Sequence, residues 1–261
     1  MRETIELLVA CGRYSDIYAD FLIENCLQTR SGNHDLKFFL GINNYPQFDM
    51  SRFEKYKQHV EIEPVIIPSD TCNGSEGHAI VLNTLFSKAT QEHCMTVDCD
   101  IAFLTRNWDQ KLLDMLKGNV VIAGTSYNIT GNFAKYLDFP SVLGTMYCTK
   151  IWQDLKIDFA TIGGPYTIPN NEEANWYKRP IGSVIWRDTG YQIPILAKKN
   201  GYDGAILTYK QLPTQLGVGQ EHWHENAPFL THLKGSSERP AGDNTANQWM
   251  GRVRSFVSNL K

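Results

Sequence analysis

The sequence predicts an α/β protein: one mostly parallel sheet flanked by helices, with a C-terminal loop and helix appended. Three observations predict it. Compact apolar runs alternate with segments of helical periodicity through the first half of the chain, turn residues punctuate each change, and 261 residues with 42% hydrophobic content suffice for one large core.

Ile5 to Ala10 is an apolar run closed by Cys11-Gly12, and Ile17 to Cys26 carries apolar residues at helical spacing, so a strand, a turn and a helix open the chain. Leu36 to Ile42 and Val60 to Ile67 are two further strands, ending at Asn43-Asn44 and at Pro68-Ser69-Asp70. Asn73-Gly74-Ser75-Glu76-Gly77 breaks the chain before an amphipathic helix from His78 to about Ala89, which leads into the strand His93 to Val97. After Asp98-Cys99-Asp100 come the apolar run Ile101 to Leu104, a helix from about Trp108 to Leu116, and the strand Val120 to Gly124. Ser126 to Pro180, richer in Gly, Pro, Asn and aromatics, reads as a loop-bearing insertion. A helix-like run follows over Tyr191 to Lys199, then a strand over Ala205 to Tyr209, and H-W-H-E-N-A-P-F-L-T-H-L-K-G-S-S-E-R-P reads as loop. Trp249, Val253, Phe256 and Leu260 recur at helical spacing and predict a closing amphipathic helix, a candidate for docking on a membrane or a second subunit, the commoner outcome being packing on its own domain.

Composition excludes several classes. With 25 Lys and Arg against 28 Asp and Glu, the formal net charge of -3 offers no general attraction for nucleic acid or anionic lipid, so any anionic substrate is held locally. The six cysteines show no C-x-x-C spacing and predict reduced thiols. The first apolar stretch is too short for a signal segment, and no later one approaches the roughly 20 residues of a membrane span. The expectation is a soluble, cytoplasmic protein.

The strongest chemical signal is M-T-V-D-C-D-I-A-F-L, an acidic pair spaced by one residue at a strand end. In an extended chain residues i and i+2 face one side, so Asp98 and Asp100 are expected to converge on a hard divalent cation, Mn²⁺ or Mg²⁺. In an open parallel sheet, ligands bind beyond the carboxyl ends of the strands, which is where this pair lies.

The stretch N-G-S-E-G-H-A-I-V-L-N-T-L-F-S-K-A-T-Q-E-H-C-M-T-V-D-C-D-I-A-F-L-T-R-N-W resembles the corresponding stretch of GT-A glycosyltransferases, especially the family-2-like group. The resemblance covers residues 5 to 125 and, more loosely, the region to about 210. It matches Gly77 to the loop glycine, Asn83 to the helix asparagine, Asp98 and Asp100 to the D-x-D acids and Trp108 to the following tryptophan. Near the C-terminus His232, Gly235, Arg239 and Pro240 look like the H-x-x-G-x-x-x-K-P pattern of the glycogenin-like group, with Arg in place of Lys. The resemblance implies His232 as a further metal ligand, with Lys234 and Arg239 on the diphosphate oxygens. His222 and His224, in H-W-H, are rival ligands.

The resemblance further implies a donor nucleotide-diphosphate sugar, UDP-sugar favoured, a saccharide or other hydroxyl acceptor, and transfer with inversion. It divides the chain into a catalytic domain over 1–240, with a nucleotide-sugar half (1–125) and an acceptor half (126–240), and a helix over 241–261. Cys11, Gly12, Asn43 and Asp70, at the ends of the first three strands, fall where it places base and ribose. Inversion needs a carboxylate to deprotonate the acceptor. Asp188 in W-R-D-T-G-Y stands at the spacing of the family's catalytic acid, with Arg187 replacing the usual first acid; Glu172, Glu173 and Asp203 are alternatives, and a helix N-cap is the plain structural role for Asp188. A sugar nucleotidyltransferase is the runner-up among enzymes, although A-C-G-R-Y-S-D offers only Gly12 and Arg13 towards its Gly-rich basic opening. A non-catalytic carbohydrate-binding protein on the same fold is the alternative of a different class.

Overall fold

The computed structural model of the chain describes residues 2–43, 45–67, 74–127, 138–160, 165–210, 215–216, 219–233, 235, 239–240 and 242–260. β1 (Thr4–Cys11) is followed by α1 (Ser15–Thr29), β2 (Asp35–Asn43), a 3₁₀ segment (Met50–Tyr56) and β3 (Glu61–Ile67). Next come α2 (Gly74–Phe86), β4 (His93–Asp98), β5 (Ile101–Phe103), α3 (Trp108–Met115) and β6 (Val120–Ser126). The second half supplies β7 (Pro140–Cys148), α4 (Thr149–Asp154), β8 (Pro165–Thr167), α5 (Asn171–Tyr177), β9 (Val184–Trp186) and α6 (Ile193–Lys199). It closes with β10 (Asp203–Lys210), β11 (Gln220–His224), β12 (Ala227–His232) and α7 (Asn244–Ser258).

A 10-stranded sheet runs in the order β3-β2-β1-β4-β7-β6-β10-β11-β12-β5, and β8 and β9 form a separate antiparallel ribbon. β3, β2, β1 and β4 are parallel neighbours, as are β6 and β10; β7 runs antiparallel between β4 and β6, and β10, β11, β12 and β5 are successively antiparallel. The apolar runs of the first strands are continuous rather than alternating because both faces are covered. Ile5, Leu7 and Val9 enter one core with residues of α1, α3 and α7, while Leu8 enters the other with residues of α2, α4 and α6. Glycine brings α2 close to the sheet: a Cβ at Gly41 of β2 would lie 2.6 Å from Val81 Cγ1 and 2.9 Å from Leu85 Cδ1.

The fold revises three expectations. α2 begins at Gly74, earlier than His78, so the Ser-Glu-Gly segment is its first turn. The segment from 126 to 180 does more than form loops, because its run P-S-V-L-G-T-M-Y-C becomes β7, a central strand whose polar Ser141 and Thr145 are buried. Those hydroxyls bond locally, Ser141 with Thr125 at 2.6 Å and Thr145 to the Ser141 carbonyl. The H-W-H region is a hairpin, β11 and β12, not a loop. Its buried Glu221 accepts from Leu216 N at 3.0 Å and from Trp223 Nε1 at 3.1 Å, which offsets the cost of burying a carboxylate there.

α7 folds onto its own domain. Trp249, fully buried, meets Phe21 of α1 edge-on at 5.3 Å and donates its indole N–H to Thr231 Oγ1 at 3.2 Å. The apolar face proposed for docking is therefore covered. Among the described residues no helix is long and apolar enough to cross a membrane.

Candidate metal and active site

The acidic pair converges by a reversal, not along an extended strand. Asp98 ends β4, Cys99 and Asp100 make the turn, and β5 returns beside β12. Register then brings in the late histidine: His232 pairs with Ile101, and Leu233 N donates to the Asp100 carbonyl at 3.0 Å. One ligand atom each from Asp98, Asp100 and His232 lies within 4.8 Å of the other two, and His232 Nε2 is 3.2 Å from Asp100 Oδ1. Two carboxylates and an imidazole at this separation suit a divalent cation of the Mn²⁺ type. Asp98 Oδ1 is buried and, among the described residues, accepts no aligned hydrogen bond, its near contact being His78 Nε2 at 3.1 Å. Cys99 is not part of this cluster, and burial pushes its thiol well above the ordinary cysteine range.

The same edge carries the other strand ends. Cys11 closes β1, Asn43 closes β2, and the register Ala10 to Asp98 and Cys11 to Ile42 puts them beside the acid turn. Gly12 turns the chain, its carbonyl accepting from Ser15 N at 3.3 Å. Asn43 is 8% exposed, and among the described residues its Oδ1 has no hydrogen-bond donor. The Cys11 thiol is held protonated by burial and by nearby Asp16. Asp70 and Lys234 lie outside the described residues.

Tyr18 ties the segment after β12 to α1. Its hydroxyl donates to the Arg239 carbonyl at 2.9 Å, and its pKa is pushed up to about 12 by burial first and then by negative Asp243 and Asp100. The Arg239 guanidinium contacts Asp243 at 3.3 Å, while its Nε is buried and unpartnered among the described residues. Gly235 adopts φ +76°, a left-handed conformation with open space around the missing Cβ.

Asp188 sits against α2. Its Oδ1 accepts from Ser75 Oγ at 2.7 Å and Thr189 N at 2.8 Å, and Thr189 Oγ1 donates to the Ser75 carbonyl at 3.0 Å. It does not cap α6, which starts at Ile193 behind Gln192. Of the alternatives, Glu173 is bound by the Tyr166 hydroxyl at 2.6 Å and exposed Glu172 lies in the first turn of α5, while Asp203 opens β10 at the opposite edge of the sheet and holds Asn119. Gly77 is buried in α2. The Asn83 amide is taken up by the fold: Nδ2 donates to Asp158 Oδ1 at 2.7 Å and Oδ1 accepts from Phe159 N at 2.9 Å. These two bonds tie α2 to the 158–159 segment.

His222 and His224 stay out of the three-residue cluster. A register shift between His222 and Trp223 breaks the simple alternation of β11. His222 is 2% exposed, and burial, with His232 nearby, lowers its pKa to about 3, while His224 packs edge-on to Phe229. His78 was missed from sequence. Its Nε2 lies 3.1 Å from Asp98 Oδ1, in the second turn of α2, and no periodicity marks it. Burial works against its charged form, but Asp98 foremost, then Asp188 and Asp100, raise its pKa overall. The only sequence signal was a histidine just after the glycine break that precedes the acid-bearing strand.

No protein-family model and no curated protein matches the chain. Among solved structures it is similar to the mannosyltransferase PcManGT from Pyrobaculum calidifontis in complex with GDP-Man and Mn²⁺, with a TM-score of 0.54 and 11% identity over 79% of this chain and 55% of that chain. It also matches S. aureus TarS 1-349 in complex with UDP-GlcNAc, with a TM-score of 0.43 and 11% identity over 72% of this chain and 55% of that chain. The chain thus spans about half the length of these solved structures. The likeness to the mannosyltransferase is one of fold: this chain has a mixed α/β architecture of the same kind, with its acidic pair and late histidine gathered at the carboxyl edge of the sheet.

Proposed function

We propose that the protein is a metal-dependent glycosyltransferase of the GT-A type, moving a sugar from a nucleotide-diphosphate donor, UDP-sugar favoured, to a hydroxyl of a saccharide or related acceptor. The observation that carries this reading is the convergence of Asp98, Asp100 and His232, one ligand atom of each lying within 4.8 Å of the other two. The fold shared with a mannosyltransferase crystallised with GDP-Man and Mn²⁺ supports it.

Asp98, Asp100 and His232 hold the cation in this reading. A divalent ion there neutralises the charge that builds on the diphosphate as the glycosidic C–O bond breaks. Arg239 grips the diphosphate oxygens, the task the resemblance gives to Lys234 as well. Cys11, Gly12 and Asn43 line the base and ribose, with the unpaired Asn43 carbonyl accepting from a base N–H; Asp70 and Gly77 belong to the same donor seat. In this reading residues 1–125 form the nucleotide-sugar half, completed at the diphosphate by the segment around His232 and Arg239, and 126–240 form the acceptor side.

Asp188 is the acceptor base. Both of its hydrogen bonds fall on Oδ1, leaving Oδ2 without one among the described residues and so able to take the acceptor proton, with inversion at the anomeric carbon. The test is a thermal-shift screen of UDP, GDP, dTDP and CMP, each with and without Mn²⁺, on wild type and Asp100→Asn. A Mn²⁺-dependent shift for one nucleotide that vanishes in the variant is expected; no shift with any nucleotide would sink the transferase reading.

A further inference from the structure

Among the described residues, His78 is a polar group set against Asp98 that the proposed reaction leaves without a task. It stands on α2, whose close seat on β2 at Gly41 makes the helix a rigid mount. Ser75 and His78 are three residues apart and share one helix face. Ser75 Oγ holds Asp188, while His78 Nε2 reaches Asp98 Oδ1 at 3.1 Å. One face of one helix therefore touches two acids that arrive from separate parts of the chain.

The His78 contact has an unusual state. Nε2 and Oδ1 are both buried, and at 3.1 Å they face each other without an aligned hydrogen bond. An aspartate carboxylate turns about a soft terminal torsion, so a small rotation of Asp98 separates this contact from a formed bond. A carboxylate that ligates a cation through one oxygen needs the other fixed, or it swings between orientations, and outer hydrogen-bond partners do this at metal sites.

We propose that His78 is a positioning residue for the cation: its Nε2–H holds one oxygen of Asp98 so that the other is presented to the metal. This rests on the metal reading above, and it adds a residue and a role to that site. His78 touches neither donor nor acceptor in this scheme; it acts through Asp98.

The experiment is Mn²⁺ binding to the full chain, with no nucleotide present, followed by the electron paramagnetic resonance signal of free Mn²⁺. Wild type, His78→Ala, His78→Gln and Asp100→Asn are compared, and melting in EDTA checks that each is folded. Gln returns an N–H donor near the position of Nε2. His78→Ala is expected to weaken Mn²⁺ binding about tenfold or more, with His78→Gln within about threefold of wild type. Equal binding by His78→Ala and wild type overturns the inference, as does an equal loss in Ala and Gln. If His78→Ala does not fold, His78→Leu is judged on the same criterion. Failure of the metal reading looks different: wild type itself binds no Mn²⁺ and Asp100→Asn changes nothing.

Discussion

Two buried contacts between an aspartate and a histidine stand at opposite ends of the sheet, and their hydrogen bonding sets them apart. Below the start of β2, Asp109 at the head of α3 is fully enclosed and accepts from Ser31 N at 2.7 Å, Ser31 Oγ at 2.6 Å and His34 Nδ1 at 2.9 Å. Every donor there comes from the fold, and the cluster closes the joint between α1, β2 and α3. At the carboxyl edge Asp100 meets His232 at 3.2 Å, but neighbouring Asp98 keeps a buried oxygen unbonded and a second histidine beside it misaligned. A closed cluster stabilises the fold, whereas the open one is where we propose that a cation binds. Proximity of Asp and His alone does not distinguish the two; the satisfaction of their oxygens does.

The comparison breaks most visibly in turnover. Asp100→Asn should lower release of nucleotide from the donor by about a thousandfold or more while leaving the melting temperature in EDTA within about 2 °C of wild type. An Asp100→Asn variant that turns over normally would put this end of the sheet in the structural class. Asp109→Ala should do the reverse, costing about 3 kcal/mol of stability in urea unfolding because it leaves buried His34 and the two donors of half-buried Ser31 without their acceptor, with Mn²⁺ affinity of the folded fraction unchanged. Next in size, Mn²⁺ with the selected nucleotide at a hundred times the dissociation constant should add about 2.7 kcal/mol to wild type, seen as a raised melting temperature, and nothing to Asp100→Asn.

The smallest effect sharpens the closed cluster. Burial alone would raise the Asp109 pKa, but Ser31, His34 and backbone donors outweigh it and hold the carboxyl below its ordinary value. As pH falls, the unfolded chain takes up this proton first, at about pH 3.9, so Asp109 contributes fully above that pH and its contribution is lost as pH drops through the lower folded value. The stability difference between wild type and Asp109→Ala should therefore be constant near neutrality and shrink below about pH 4 in urea titrations. A difference that grows on acidification would contradict the assignment.

Much of the first half was legible because each strand there is a local apolar run and each helix a local period. β1, β2, β3 and β4 appear within a residue or two of their expected bounds, and the Asp98-Cys99-Asp100 turn falls at a strand end as read. β7 and the β11–β12 hairpin were not legible, since their polar residues Ser141, Thr145, Glu221 and His222 are buried only by virtue of neighbours contributed by other strands. The candidate site divides the same way. The acids announce themselves by residue type and spacing and His232 only by the resemblance of its segment, while His78 carries no pattern, and Asn83, matched to the family's helix asparagine, has its amide bound to the 158–159 segment.

The sequence by itself determined the α/β class, the order of the early elements and the acidic pair at the end of β4. These follow from local periodicity and side-chain chemistry, which neighbouring positions are enough to express. Only the tertiary structure decided which of those groups meet: the reversal after β4, the register that sets His232 against Ile101, and the helix face that brings Ser75 to Asp188 and His78 to Asp98. Whether a buried oxygen is satisfied depends on atoms from distant parts of the chain, so a closed joint and an open seat can be built from the same two residue types and differ only once the chain has folded.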